Sequence, residues 1–161
     1  MGRLAHLFLA LQARLSRSAP PRDGAGQVWH TLNEEVDRLY QAGEYERAVV
    51  VAREALEVAK TQAGPDHPDV AASLNNLALL CRAQGQYAQA ELFHHRSLAI
   101  WESRLGPDHP DVAIGLNNLA ALCIVRGQYA QAEPLYQRAL TILQILAGIM
   151  LGPAVMGRLA P

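Results

Sequence analysis

Apolar residues recur along the middle of the chain at three- and four-residue steps. Val70, Leu74, Leu77, Ala78 and Cys81 place one stripe on a segment from Asp69 to Ala83, the signature of a helix that buries one face. A second stripe, Ala90, Phe93, Leu98 and Trp101, predicts a helix from about Tyr87 to Arg104. Gly85 separates the two, and Gly106 followed by Pro107 stops the second, because proline cannot continue a helix. The same alternation then begins again. Gly-Pro-Asp-His-Pro-Asp-Val-Ala stands at Gly64 to Ala71 and again at Gly106 to Ala113, an offset of 42 residues. That offset also superposes Leu74-Asn75-Asn76-Leu77-Ala78 on Leu116-Asn117-Asn118-Leu119-Ala120, and Gly85 to Glu91 on Gly127 to Glu133.

A period of this length marks stacked helix pairs, none able to bury its apolar face alone. One period before Leu74, Asn75, Gly85, Tyr87 and Ala90 lie Leu32, Asn33, Gly43, Tyr45 and Ala48, which adds a third, divergent unit. The expected fold is all-α, an α-solenoid of three helix pairs at about 27–63, 64–105 and 106–147. Ala78 and Ala120 on the first helix of a pair, and Ala48, Ala90 and Ala132 on the second, fall where helices should approach most closely. Asp66 and Asp108 are placed to cap the next first helix, with Pro68 and Pro110 in its first turn. Gly64, Gly106 and Gly148 share one register just past a helix end, where a positive φ is expected.

Composition narrows the function. With 50% apolar residues, 18% charged and a net charge of -1, neither disorder nor a strong single-sign field is expected. No basic stripe with interleaved aromatics is present, so nucleic acid is not an expected partner. Cys81 and Cys123 are one period apart and face alike. Neighbouring helices lie about 8–10 Å apart, beyond disulfide reach, so two buried, reduced thiols in a cytoplasmic protein are expected. His67 and His109 recur once per unit beside Asp and Pro, which points to turn structure over metal binding. Adjacent His94 and His95 point about 100° apart on a helix and cannot share an ion, so a packed His94 and a solvated His95 are expected. No phosphate-binding loop, dinucleotide turn, zinc-helix motif or nucleophile elbow appears. Neither an enzyme nor a cofactor or metal site is expected.

The pattern of Leu74, Leu77, Ala78, Gly85, Tyr87 and Ala90 resembles the tetratricopeptide repeat. The Asn-Asn-Leu-Ala, Gly-Gln-Tyr-Ala-Gln-Ala-Glu and Gly-Pro-Asp-His-Pro-Asp-Val-Ala segments resemble its 42-residue version in kinesin light chains and related bacterial repeat proteins. The chain departs from kinesin light chains in its few repeats and the lack of an amino-terminal heptad region, so a motor subunit is not expected. The resemblance implies a groove lined by the first helix of each pair. Its partner-binding positions fall on Asn33, Asn75 and Asn117, then on Asp37, Leu79 and Ala121, then on Tyr40, Arg82 and Ile124. A ladder of amides has donors and acceptors for an extended peptide; it could equally hydrogen-bond between helices and set the stack. Kinesin light chains take acidic, tryptophan-containing peptides through a basic groove. Here Arg82 alone supplies positive charge, so the partner-binding set Asn33, Asp37, Tyr40, Asn75, Arg82 and Asn117 suits a neutral or apolar peptide.

The expected function is therefore a noncatalytic scaffold binding a peptide or partner protein. A regulatory or sensor module of a larger signalling ATPase or kinase system is the alternative, and a purely structural stack a third. Residues 1–26, with Leu4, Leu7, Leu11, Leu15 and four arginines, read as a capping helix or a targeting-like segment followed by a Pro/Gly linker. Residues 148–161 read as an irregular apolar tail, too interrupted for a membrane span. The uncovered apolar positions of the last helix predict self-association there.

Overall fold

The computed structural model describes residues 23–151. They form six helices in three consecutive pairs: α1 (Asp23–Gln41) with α2 (Tyr45–Ala63), α3 (Pro68–Ala83) with α4 (Tyr87–Leu105), and α5 (Pro110–Val125) with α6 (Tyr129–Leu151). Each helix packs on its pair-mate and on the next helix in the chain, and the first helices of adjacent pairs also touch. This is the all-α solenoid expected from the period, with no strand among the described residues.

The core follows the periodic positions. Leu39, Leu74, Leu80, Leu116, Leu122 and Ile142 are fully enclosed, and Ala48, Ala78, Ala90, Ala120 and Ala132 are all buried. Both cysteines are buried and unbridged, and burial raises both thiols above the ordinary range, as enclosure of a group that ionises to an anion requires. The turn inside each pair is closed at Gly43, Gly85 and Gly127 with φ of 74°, 74° and 73°, a conformation that side-chain-bearing residues rarely adopt. In the second pair the Gln86 amide then donates to the Cys81 carbonyl at 2.8 Å, satisfying one of the carbonyls left open at the helix end.

Between pairs, the structure corrects the expected cap. His67 and His109, not Asp66 and Asp108, are the capping residues: each ring Nδ1 accepts the amide of Asp69 or Asp111 at 3.2 Å. The reason lies in the following proline. It holds the preceding residue in extended backbone, and His109 has φ -72° and ψ 146°, which aims its ring back over the first helical turn. The aspartates one residue earlier lie outside that position.

Two boundaries also differ from expectation. α1 begins at Asp23, inside the segment expected to be linker. Gly148 is helical, because α6 runs on to Leu151; no Pro-Asp-His-Pro follows it to terminate the helix, whereas Pro65 and Pro107 follow Gly64 and Gly106. The expected capping helix at Leu4 to Leu15 and most of the apolar tail lie outside the described residues.

Candidate functional site

The asparagine ladder on α1, α3 and α5 is wired between units. Asn76 Nδ2 donates to Asn33 Oδ1 at 2.8 Å, and Asn118 Nδ2 donates to Asn75 Oδ1 at 3.1 Å. Asn33 Nδ2 also donates to the Trp29 carbonyl one turn back, at 2.7 Å. Asn75 is 4% exposed, whereas Asn33 and Asn117 are half-buried. The second asparagine of each Asn-Asn dipeptide therefore reaches back to the asparagine that leads the ladder position of the preceding unit. Sequence reading missed this donor, although the dipeptide itself is the signal. Asn117 ends the ladder, because no further unit follows it among the described residues to supply the next donor.

The remaining expected positions recur one period apart on α1, α3 and α5. Asp37 is exposed, Tyr40 and Arg82 are half-buried, and Leu79 and Ala121 are half-buried; Ile124 is open to solvent. Partial loss of water around its carboxyl holds Asp37 above the usual carboxylate range, with Glu34 adding to the effect. Tyr40 packs at a tilt on Tyr45, ring centroids 5.5 Å apart, which ties the end of α1 to the start of α2. One row thus carries an acid on α1 and apolar side chains on α3 and α5, and the other a tyrosine on α1, a cation on α3 and an isoleucine on α5.

Other charged contacts also join units, and spacing alone did not reveal them. Arg126 at the end of α5 pairs with Glu91 on α4. Arg138 on α6 pairs with Glu102 on α4 at 2.6 Å and donates to the Pro107 carbonyl at 3.4 Å. On the apolar side, Trp29 Nε1 donates to Ser73 Oγ at 2.9 Å, and Ser97 Oγ donates to the Ala71 carbonyl at 2.7 Å.

The histidines divide as the helical geometry dictates. His94 is buried and His95 exposed. Enclosure lowers His94 to about 4, helped by the nearby charges of Arg82 and His95. His67 and His109 are committed to caps, and among the described residues no group of three or more His, Cys, Asp or Glu side chains is placed to hold a metal ion. Two depressions open to solvent lie at the turns, one of about 570 Å³ beside Tyr87 and Arg126 and one of about 470 Å³ beside Tyr45 and Ala83. No helix among the described residues is long and apolar enough to cross a membrane.

Helix pairs stacked in sequence, with small residues at the crossings and a glycine turn inside each pair, define an α-solenoid of tetratricopeptide type. The sequence matches the tetratricopeptide repeat family over residues 38–103 and 84–145, and the chain belongs to that family. No curated protein matches it. Among solved structures it is similar to BtubC (BKLC) from P. vanneervenii, at 28% identity and a TM-score of 0.67 over 89% of this chain and 57% of that one. It is also similar to a kinesin light chain candidate of Podosopora anserina with nearly identical TPR-like repeats, at 23% identity and a TM-score of 0.66 over 75% of this chain and 57% of that one. The TPR domain of Arabidopsis FLU shares the fold at 19% identity and a TM-score of 0.64, with 75% of this chain and 98% of that domain covered. The repeats are thus of the kinesin-light-chain-like type, and the chain spans 57% of the length of two of these structures.

Proposed function

We propose that this chain is a noncatalytic protein-interaction module that holds an extended peptide of little net charge across α1, α3 and α5. The observation that carries the reading is the row Asp37, Leu79 and Ala121, with Tyr40, Arg82 and Ile124 beside it. These positions stay at least partly accessible in every unit, while neighbours such as Leu77, Ala78, Leu80 and Cys81 are enclosed. Asn33 and Asn75 set the spacing of the row through their bonds to Asn76 and Asn118, and Asn117, Arg82 and Asp37 are the polar contacts offered to a ligand. Leu79, Ala121 and Ile124 favour an apolar side chain toward the α5 end. Buried, unbridged thiols suit a reducing compartment such as the cytoplasm.

A displayed random-peptide library panned on the full chain tests this. The selected peptides should be apolar and near neutral. Arg82→Ala and Asn117→Ala should each weaken a selected peptide by about fivefold to tenfold, the size of one lost polar contact, and Arg96→Ala, on an exposed part of α4, should not. Peptides that bind the Arg82 and Asn117 variants as tightly as the parent would place recognition elsewhere.

A further inference from the structure

We infer that the joint between the second and third pairs opens in acid: charging of the enclosed His94 ring frees α5 and α6 from α4 while α1 and α2 stay folded. His94 is 1% exposed, and neither ring nitrogen has a hydrogen-bond partner among the described residues. Its neighbours on the same face of α4 show what encloses it. One turn before it, Ala90 belongs to the buried cluster of Ala78 and Cys81 on α3 with Leu119 and Leu122 on α5. One turn after it, Leu98 lies so close to Gly115 of α5 that a Cβ there would meet it at 3.2 Å, and Ser97 donates to the Ala71 carbonyl of α3. The ring is thus shut in by the partner helix of its own pair on one side and by α5 on the other.

The charges that act on the ring oppose its protonation. They are Arg82 on α3 and His95 on α4, both of the sign that the ring would gain. The Cys81 thiol of α3 and the Cys123 thiol of α5 are held neutral by burial, Leu119 and Leu122 of α5 are apolar, and Glu91, three residues before His94, is engaged by Arg126 of α5. A charged ring here must therefore reach water. Parting α4 from α5 is the shorter way, because α3 and α4 form one hairpin closed at Gly85, whereas α5 and α6 are held to the second pair by the Asn75 and Asn118 bond and by two partly exposed ion pairs. Each pair in a stack holds only its neighbours, so one joint can part while the rest stays closed. At the joint between the first and second pairs the matching residue is Ala52, 1% exposed, which carries no charge at any pH. The capping His67 and His109 stand one at each joint and do not distinguish them. Opening separates Asn117, Ala121 and Ile124 on α5 from Leu79 and Arg82 on α3, so a peptide lying across both helices is let go in acid; that consequence rests on the peptide reading of the groove, and the opening itself does not.

Hydrogen-deuterium exchange of the full chain, resolved by segment and corrected for the slower chemistry of exchange in acid, tests the opening between about pH 7 and pH 5, where exposed carboxylates are still mostly ionised. A ring held at about 4 when enclosed and at 6.5 when exposed stabilises the closed joint above pH 6.5 and loses that contribution as pH falls. Opening of α5 and α6 should rise roughly tenfold to thirtyfold across the interval, and that of α1 and α2 less than about threefold. His94→Leu should abolish the difference between the segments. The His94 ring signals of the unaltered chain, followed by NMR, give a check that needs no variant, and should stay those of a neutral ring at about pH 5. An equal rise in all six helices, a rise that persists in His94→Leu, or a ring that titrates near its ordinary value overturns the inference. No ligand enters the measurement, so a failure of the peptide reading leaves its outcome unchanged.

Discussion

His94 stands where the other pairs carry Ala52 and Tyr136, and it puts a titratable ring inside the stack. It is 1% exposed, and neither ring nitrogen has a hydrogen-bond partner among the described residues. Burial therefore holds it neutral, with a folded value of about 4 against an ordinary value of 6.5. The sign follows from proton counting. As pH falls below about 6.5 the unfolded chain takes up a proton that the folded chain refuses until about pH 4, so stability present above pH 6.5 is lost across that window. The full loss is roughly 3 kcal/mol. Asp37 and Asp111, both raised by partial loss of water around the carboxyl, act in the opposite sense near the lower end. Urea unfolding at pH 7 and pH 4.5 should show the drop, and His94→Leu should remove most of it; an equal drop in that variant would assign the pH dependence to other groups.

At the scale of the helix, small residues decide how closely pairs approach. Ala78 and Ala120 on α3 and α5 are completely enclosed, so a large side chain there must push helices apart. Ala78→Trp and Ala120→Trp should each cost about 1–3 kcal/mol or more, since overpacking a dense core forces backbone shifts. Gln86→Trp should cost little, because Gln86 is exposed and makes no side-chain cap bond. Thermal midpoints rank the three variants, and equal midpoints would reject the packing assignment. Helix starts are decided differently. Asp, His and Pro all lie at each junction, and local propensity favours Asp as the cap. The proline sets the backbone of the residue just before it, so the histidine ring takes the position instead.

Across the whole molecule, stability in such a stack is close to a sum of pair stabilities and nearest-neighbour contacts. The Asn75 and Asn118 bond is one such contact, made by a side chain almost removed from water. Asn75→Ala and Asn118→Ala should therefore be strongly non-additive, with a coupling of about 1 kcal/mol in a double-mutant cycle of chemical unfolding. A coupling near zero would show that the bond does not hold the second and third pairs together. The ion pairs of Glu91 with Arg126 and Glu102 with Arg138, which join the second and third pairs, lie at partly exposed sites, where such pairs contribute little to stability.

The sequence by itself determined the number of pairs, the helix positions, the enclosed alanines and leucines, and the burial of Cys81, Cys123 and His94. All of these follow from local periodicity and from glycine and proline at fixed offsets, which act within a few residues of themselves. It also marked Asn33, Asn75 and Asn117 as equivalent positions, and placed Asp37, Tyr40 and Arg82 on the same helices. Only the tertiary structure decided that Asn33 and Asn75 spend their carbonyls on Asn76 and Asn118, that Arg126 and Arg138 reach back to α4, and that α6 runs past Gly148. The side-chain contacts depend on which groups from different units come within about 3 Å of one another. A repeat period states that two positions are equivalent; the stacking of one pair on the next chooses which of their atoms meet.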